Sequence, residues 1–475
     1  MSVDIEVYKP KYPIRVVTAT SLFDGHDASI NIIRRILQDT GGEVIHLGHN
    51  RSVQEIVDAA IQEDAQGVAV SSYQGGHVEF FKYIVDLLRE KGASHIKIFG
   101  GGGGVIVPEE IKALEAHGVT KIYSPEDGAK MGLQGMVNHM IRIMDFSTIE
   151  NMSFDVSNLS PDNTLTVANL ITAVELAKIQ KNGDLAKLRA KLLEKIGDRK
   201  IPIIGITGTG GAGKSSLTDE LILRILLDLK DIRLAIISCD PSRRKTGGAL
   251  LGDRIRMNAI NNPRVYMRSL ATRRSSTEIP LALAEAIDVV KAAGFDLVVA
   301  ETAGIGQGDS NIIDLVDLSI YVMTSEFGAA TQLEKINMLD FADLVVVNKY
   351  EKLGGEDALR DVRKQVQRNR KAWHKPLKEM PVYGTIASKF NDDGVTSLYH
   401  AIMDKLAQKT NTVFGSSLPK PETRTSSSST TIIIPPERIR YLAEIAETAR
   451  SYHKHTQEQA DAVRKIWHLK DHQLS

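Results

Sequence analysis

Cysteine is almost absent from the chain: Cys239 is the only one in 475 residues. This excludes an internal disulfide framework and any multi-cysteine metal site, and makes a reducing compartment the simpler setting. Net charge is missing as well. Lys+Arg and Asp+Glu both total 59, so no overall electrostatic bias points to nucleic acid or to a membrane surface. There is no apolar run of about 18 residues, the length a membrane span needs. The opening stretch MSVDIEVYKPKYPIR has no apolar signal core. We therefore expect a cytoplasmic protein whose partners are neither membrane nor nucleic acid. What is present is an ordinary globular composition, 42% apolar and 25% charged, over a length that calls for two or three domains.

Residues 1–150 alternate short apolar strands with amphipathic helices. Strands are expected at Ile14–Ala19, Glu43–Leu47, Gly67–Ser71, Ile96–Phe99 and Lys121–Tyr123, and helices at Asn31–Gln38, Val53–Glu63 and Val78–Glu90. That alternation builds a parallel sheet covered on both faces, a flavodoxin-like α/β domain whose ligands sit at the carboxyl ends of its strands. A polar break at Asn151–Asp162 leads into a helical connector (151–200, helical over Leu165–Ile196), then a second α/β domain over 201–412. Residues 413–475 hold a Ser/Thr-rich stretch, Thr423–Thr431, expected to be a flexible linker, and a helical tail after Pro435-Pro436. The tail segment IRYLAEIAETARSY has an apolar stripe but no core of its own. It is expected to pack on another domain or subunit, and a homodimer is the expected assembly.

The second domain carries the more specific motif. Strand Ile203–Thr207 runs into Gly208-Thr-Gly-Gly-Ala-Gly213-Lys214-Ser215, the full GxxxxGK[ST] pattern between a strand and a helix. Glycines at 210, 211 and 213, with Ala212 between them, let successive backbone N–H groups turn toward a phosphate that a Cβ would keep away. The helix start through Ser216 adds a favourable dipole, Lys214 a charge for the β and γ phosphates, and Ser215 a hydroxyl for Mg²⁺. Two more strands end in acids, Leu234–Ser238 before Cys239-Asp240-Pro241 and Leu297–Ala300 before Glu301-Thr-Ala-Gly304. Either acid alone could be a solvated strand end; beside a phosphate loop both become candidate Mg²⁺ groups, with Lys214 and Glu301 the expected catalytic pair. Asn348-Lys349-Tyr350-Glu351 stands where a GTPase has NKxD, whose carboxylate accepts from guanine N1–H and the exocyclic amine. Here the acid is Glu351, one methylene longer. Ala387-Ser388-Lys389 lies where a second base-contacting loop is expected.

The stretch Gly247-Gly-Ala-Leu-Leu-Gly252-Asp253-Arg254-Ile255-Arg256-Met257, with SCDPS before it and ETAGIGQ after it, resembles the metallochaperone GTPases that serve cobalamin-dependent mutases. The resemblance spans the second domain. It implies that Asp240, Asp253 and Glu301 help Ser215 hold Mg²⁺ and that Arg256 reaches the nucleotide phosphates. Spacing alone would make Asp253 and Arg256 an i,i+3 surface ion pair. Segments Pro241–Gly252 and Ala271–Thr277 are the candidate switch loops, responsive to the γ-phosphate.

With that resemblance in place the first domain becomes legible. Asp24-Gly25-His26-Asp27-Ala28-Ser29 is similar to the DxHxxG motif of cobalamin-binding domains, whose His ligates cobalt. A neutral imidazole suits cobalt, and a carboxylate on its other nitrogen, here Asp24, fixes the tautomer. Ser29 stands where that pattern has Gly. Ser71-Ser72-Tyr73 occupies the place of the family's SxL, with Tyr73 for Leu, and Gly103-Gly104 the place of its GG pair. The run Gly100–Gly104 is entropically expensive, and close approach of a bulky ligand is expected to offset the cost. His46, His49 and His77 show no ligand spacing and are expected to be solvated or packing residues. A phospho-acceptor receiver, which shares the fold, would need an Asp after the third strand, where Ser71 stands.

The order of the two domains resembles the fused isobutyryl-CoA mutases, in which a cobalamin domain, a GTPase chaperone domain, a linker and an acyl-CoA-binding barrel share one polypeptide. The resemblance implies adenosylcobalamin, GTP and Mg²⁺ as cofactors and an acyl-CoA mutase barrel as partner, in cis or in trans. No eightfold strand–helix set follows Gln408. The expectation is therefore a fragment or a natural split protein, with a stand-alone GTPase chaperone for a separate mutase as the rival reading, and a simple cobalamin store or sensor as a weaker one.

Overall fold

The computed structural model describes residues 6–150, 156–180, 184–243, 245–273, 279–302, 304, 310–327, 333–426 and 441–474. The chain divides into two compact units, Met1–Ser426 and Ser427–Ser475. The first unit contains two all-parallel sheets.

The first sheet is built from β1 (Arg15–Ser21), β2 (Glu43–Arg51), β3 (Gly67–Ser71), β4 (Lys97–Gly101) and β5 (Lys121–Tyr123), in the order β5-β4-β3-β1-β2. Their side chains alternate between two apolar layers. Val17, Ile45 and Val68 face helices α2 (Val53–Gln62) and α3 (His77–Glu90), while Val16, Val44 and Phe99 face α1 (Ala28–Asp39) and α5 (Pro125–Met144); α4 (Pro108–His117) follows β4. Chain order reverses between β1 and β3, which opens a crevice at their carboxyl ends. This is the flavodoxin-like arrangement expected. The connector forms two helices, α6 (Thr164–Gln180) and α7 (Asp184–Ile196).

The second sheet contains β6 (Ile203–Gly208), β7 (Leu234–Asp240), β9 (Val265–Ala271), β10 (Leu297–Glu301), β11 (Leu318–Met323), β12 (Leu344–Asn348) and β13 (Val382–Thr385), ordered β13-β12-β11-β6-β10-β7-β9. One face packs on α8 (Lys214–Asp228) and helix Asp393–Thr410, the other on α6, α7 and α9 (Leu283–Ala293). The connector helices thus share the core of the second sheet.

One strand was not foreseen. Ala249–Leu251, β8, leaves the second domain and pairs in parallel with Glu43–Ile45 of β2, becoming the sixth strand of the first sheet. Part of the expected switch Pro241–Gly252 is therefore a sheet strand. The Ser/Thr-rich stretch also differs from expectation at its start: Thr425 bridges Gly384, and the Gly384 carbonyl accepts from the Ser426 N–H at 2.9 Å, so these residues run beside β13. The rest of that stretch, Pro435-Pro436, Arg244, Arg274–Thr277 of the second switch and most of the residues after Thr302 in the ETAGIGQ segment lie outside the described residues. In the second unit Tyr441–Leu474 is one long helix, with Tyr441, Leu442, Ile445, Trp467 and Leu469 exposed. Among the described residues no helix is long and apolar enough to cross a membrane.

Candidate functional site

At the crevice of the first sheet, the loop after β1 presents His26 with its side chain 77% exposed and its Nδ1 2.8 Å from Asp24 Oδ1. Asp24 is buried and does three things at once. Its Oδ1 also accepts from the His26 N–H at 2.9 Å, and its Oδ2 accepts from the Tyr73 N–H. Burial opposes ionisation, but the backbone N–H groups of Tyr73 and His26 outweigh it and hold the carboxyl below its usual range. An ionised carboxylate can only accept, so in the neutral ring His26 Nδ1 carries the proton and Nε2 the lone pair that a metal would take. The two departures from the family pattern meet: Ser29 Oγ lies 2.6 Å from Tyr73 OH, and the Tyr73 ring sits 5.7 Å from that of His26.

Beside this loop a cavity of about 300 Å³ runs between α1, α5 and the ends of β3 and β4. Its walls are mostly apolar, including Ile30, Phe99, Tyr123 and Met140, with Ser71, Gly101 and Gly103 at the strand ends. Ser71 Oγ is buried there without a hydrogen-bond partner. An apolar slot with an orphaned hydroxyl and an outward imidazole suits a planar, largely apolar cofactor tail. The glycine run needs correction. A Cβ on Gly100 would come within 2.5 Å of Phe81 Cζ, and one on Gly102 within 2.1 Å of the Ser72 carbonyl. Protein packing alone requires these two glycines. Gly103 (φ +57°) lines the cavity, while Gly104 faces open space outside it.

In the second sheet the loop after β6 wraps a cleft of about 360 Å³ lined by Gly210, Gly211, Gly213, Lys214, Ser215, Ser216, Asp240, Asp253, Arg256 and Glu301. Gly213 has φ +85°, and a Cβ there would come within 2.6 Å of Asn348 Nδ2. Asn348 ties the loops together: Nδ2 donates to the Ala212 carbonyl at 2.8 Å, and Oδ1 accepts from the Thr385 hydroxyl and the Ala387 N–H. Lys349 Nζ reaches the Gly211 carbonyl at 2.7 Å. Ala387, the first residue of Ala387-Ser388-Lys389, is thus tied to the phosphate loop through Asn348. Ala212 is buried behind the cleft wall, and Glu351 is exposed and outside it.

The acids converge on the Ser215 hydroxyl, which donates to Glu301 Oε1 at 2.8 Å and to Asp253 Oδ1 at 3.1 Å. Glu301 Oε2 accepts from Thr218 at 3.0 Å, and Asp253 Oδ2 from Ser238. Asp253 and Arg256 do form the i,i+3 ion pair that spacing suggested, but with Asp253 buried in the cleft. Burial and the neighbouring Asp253 push Glu301 up to about 7. Burial, then Asp253 and Glu301, raise Asp240 well above its usual range, and its Oδ2 has no hydrogen-bond partner. Among the described residues no three carboxylate, imidazole or thiol groups converge tightly enough to hold a metal unaided. The donor set fits a cation such as Mg²⁺, which keeps waters and phosphate oxygens and takes one or two carboxylates.

A buried ionic cluster joining the two domains escaped sequence reasoning. Arg15, Glu43 and Glu63 of the first domain meet Glu175 of α6 and Arg254, Arg268 and Arg273 of the second. They are scattered along the chain from Arg15 to Arg273, and no local signal pairs them.

Two family models match. "B12 binding domain" covers residues 14–129, and "Methylmalonyl Co-A mutase-associated GTPase MeaB" covers residues 167–431. The chain is 57% identical to a fused isobutyryl-CoA mutase of Geobacillus kaustophilus over 98% of its own length and 42% of the relative's. A fused isobutyryl-CoA mutase of Cupriavidus metallidurans is likewise 57% identical over 97% of this chain and 42% of its own. The chain thus spans less than half the length of these relatives. A Pyrococcus horikoshii protein named as a GTPase is 32% identical over 54% of this chain and 81% of its own. With more than half of its residues matched by one model, the chain belongs to the family of methylmalonyl-CoA mutase-associated GTPases, and it carries a B12 binding domain ahead of the GTPase.

Proposed function

We propose that the chain is the adenosylcobalamin- and GTP-binding part of an acyl-CoA mutase interconverting isobutyryl-CoA and n-butyryl-CoA, whose GTP hydrolysis gates cofactor loading and protection. The observation that carries this reading is the pairing, in one compact unit, of an outward His26 backed by Asp24 with a phosphate cleft built on Lys214 and Ser215. Cobalamin, when bound, supplies a cobalt–carbon bond whose homolysis starts radical chemistry. His26 would hold the cobalt through Nε2, with Asp24 fixing the ring's tautomer and aim, and Ser71, Gly103 and Gly104 would receive the cofactor's tail. In the cleft, the N–H groups of Gly210 to Ser216 and the Lys214 ammonium hold the GTP phosphates, and Arg256 adds charge at the cleft mouth. Ser215 with Asp240, Asp253 and Glu301 would hold Mg²⁺. Lys214 and Glu301 act on the transition state by neutralising and ordering charge there. Asn348 and Lys349 brace the base site, and Glu351 selects guanine.

The partner is an acyl-CoA mutase barrel, in cis or in trans, in a cytoplasmic homodimer. A second reading, a GTPase chaperone and cobalamin carrier for a separate subunit such as methylmalonyl-CoA mutase, is favoured by the family match over residues 167–431. The deciding experiment titrates the full chain with adenosylcobalamin, followed by visible absorbance, beside His26→Ala. A base-off, His-on spectrum in the parent that is lost in the variant supports the cobalamin role. Absence of binding in both removes it.

A further inference from the structure

The turn after β8 divides its side chains between the two domains. Asp253 and Arg256 line the phosphate cleft. Arg254 and Ile255 face the other way: a Cβ on Gly48 of β2 would come within 2.7 Å of Ile255 Cδ1, so that glycine is the seat for the isoleucine. The Arg254 guanidinium is buried and held on three sides, by Glu63 Oε1 at 2.7 Å, by Gln62 Oε1 at 2.9 Å and by the Met267 carbonyl. Glu63 is itself immobilised. Its Oε2 accepts from Arg15 at 2.8 Å, and the Ser269 N–H and hydroxyl donate to it at 3.0–3.1 Å. A carboxylate with this many fixed donors presents a rigid face to an arginine fork. Downstream, Asp219 of α8 accepts the Asn258 and Ala259 N–H groups at 2.9 and 2.7 Å, so the segment is also pinned to the helix of the phosphate loop. Asp253, between β8 and these anchors, cannot shift without moving Arg254.

We infer that Glu63, a residue of the cobalamin-binding domain, is a positioning residue of the nucleotide site: through Arg254 it holds the Asp253 carboxylate against the Ser215 hydroxyl. The inference rests on the GTPase reading above and adds that the first domain completes the metal-facing side of that site. Loosening this clasp leaves the phosphate loop itself intact. Nucleotide binding without metal should survive, and the Mg²⁺-dependent part should weaken.

The test uses the full chain and N-methylanthraniloyl-GDP fluorescence, in EDTA and across a Mg²⁺ titration, with thermal melting and GTP hydrolysis measured alongside. Arg254→Lys keeps the charge but not the fork. The double variant E63Q/R254M removes both charges, which preserves folding better than orphaning one. Arg268→Lys disturbs the same cluster through Thr172 and Glu175, its hydrogen-bond partners, without touching the Glu63–Arg254 pair. In Arg254→Lys and the double variant, affinity in EDTA should match the parent's, and the Mg²⁺ half-saturation should rise roughly 10-fold or more, the usual effect of losing a residue that orients a metal ligand. Arg268→Lys should lower the melting temperature and leave Mg²⁺ half-saturation unchanged. The inference is overturned if Arg254→Lys and the double variant keep the parent's Mg²⁺ half-saturation. It is equally overturned if Arg268→Lys shifts half-saturation as far as they do, since the cluster then only stabilises the fold. A parent that binds no guanine nucleotide at all sinks the GTPase reading, and this one with it.

Discussion

Acidification offers a quantitative test of the ionic cluster that joins the two domains. Glu43 on β2 accepts from Arg273 Nε at 2.6 Å and Nη2 at 3.3 Å and from Arg15 Nη1 at 3.2 Å, all in a buried setting. Burial by itself would raise its carboxyl; Arg273 and then Arg15 outweigh burial and bring it down from 4.5 to about 2. Between those values the folded protein binds fewer protons than the unfolded chain. The stabilisation is therefore complete above the unfolded value and is lost as pH falls toward the folded one. The interval is worth about 3 kcal/mol at 1.36 kcal/mol per pH unit. Urea unfolding of the parent and Glu43→Gln, followed by circular dichroism at pH 7, 5, 4 and 3, measures it. At pH 7 the variant should be less stable by about 3 kcal/mol, because two arginines lose a buried partner. By pH 3 the gap should shrink to about 1.4 kcal/mol, because the unfolded carboxyl has by then taken up its proton while the folded one has barely begun to. Glu43 also stands opposite Ala249 in the β2–β8 pairing, so amides at Ala249–Leu251 should lose exchange protection before those of β1. A gap that is absent at pH 7, or constant down to pH 3, refutes the reasoning.

Three other outcomes are expected. Gly208→Ala places a Cβ 1.9 Å from the Val322 carbonyl oxygen, whereas Gly211→Ala at φ +72° meets nothing. The first should cost about 3 kcal/mol or more through backbone displacement and the second about 1 kcal/mol through its left-handed conformation, read from thermal melting; equal losses would contradict the assignment. Ser71→Ala removes a buried hydroxyl that has no partner, so the cofactor-free protein should gain up to about 1 kcal/mol, while adenosylcobalamin titration should show weaker binding if that hydroxyl serves the cofactor tail. Glu351→Ala should cut the preference for GTP over ITP by roughly 10- to 100-fold, the value of one or two charge-assisted hydrogen bonds, measured by competition binding; an unchanged ratio would remove Glu351 from base selection.

Where one segment carries its own signal, the sequence was enough. Gly208–Ser215 needs only its flanking strand and helix to be understood, and β6 and α8 begin and end where glycine freedom and apolar periodicity place them. Asp24 and His26 are two residues apart, so their 2.8 Å contact is a local event. The five strands of the first domain were legible for the same reason, within a few residues at their ends. The glycine run shows the limit. Composition says that five glycines are costly, but it cannot tell that Gly100 and Gly102 make room for Phe81, Ile122 and the Ser72 carbonyl rather than for a ligand. Close approach is a tertiary fact, and its other party is up to about 30 positions away in these cases.

The strand β8 was illegible for a more general reason. Three residues between glycines carry no periodicity, and parallel pairing with β2 is set by an edge some 200 positions upstream rather than by anything local. Yet this strand governs how the two sites relate. An uncovered β2 would leave an unpaired parallel edge, which folded proteins avoid. The segment that covers it is held from both sides: a Cβ on Gly248 would strike the Gln38 carbonyl at 2.0 Å, and the next turn delivers Asp253 to Ser215. The motif that resembles a GTPase signature is therefore, over its first half, a packing element of the neighbouring domain. Any displacement of Asp253 by nucleotide or metal must be accommodated within a stretch anchored on β2, and β2 runs on to Asn50, whose Oδ1 accepts from the Phe23 N–H one residue before Asp24. Nucleotide cleft and histidine loop are thus connected through β8, β2 and the side chains of Asp253 and Asn50. That is the physical condition for either site to bias the other, and by linkage the bias must act equally in both directions.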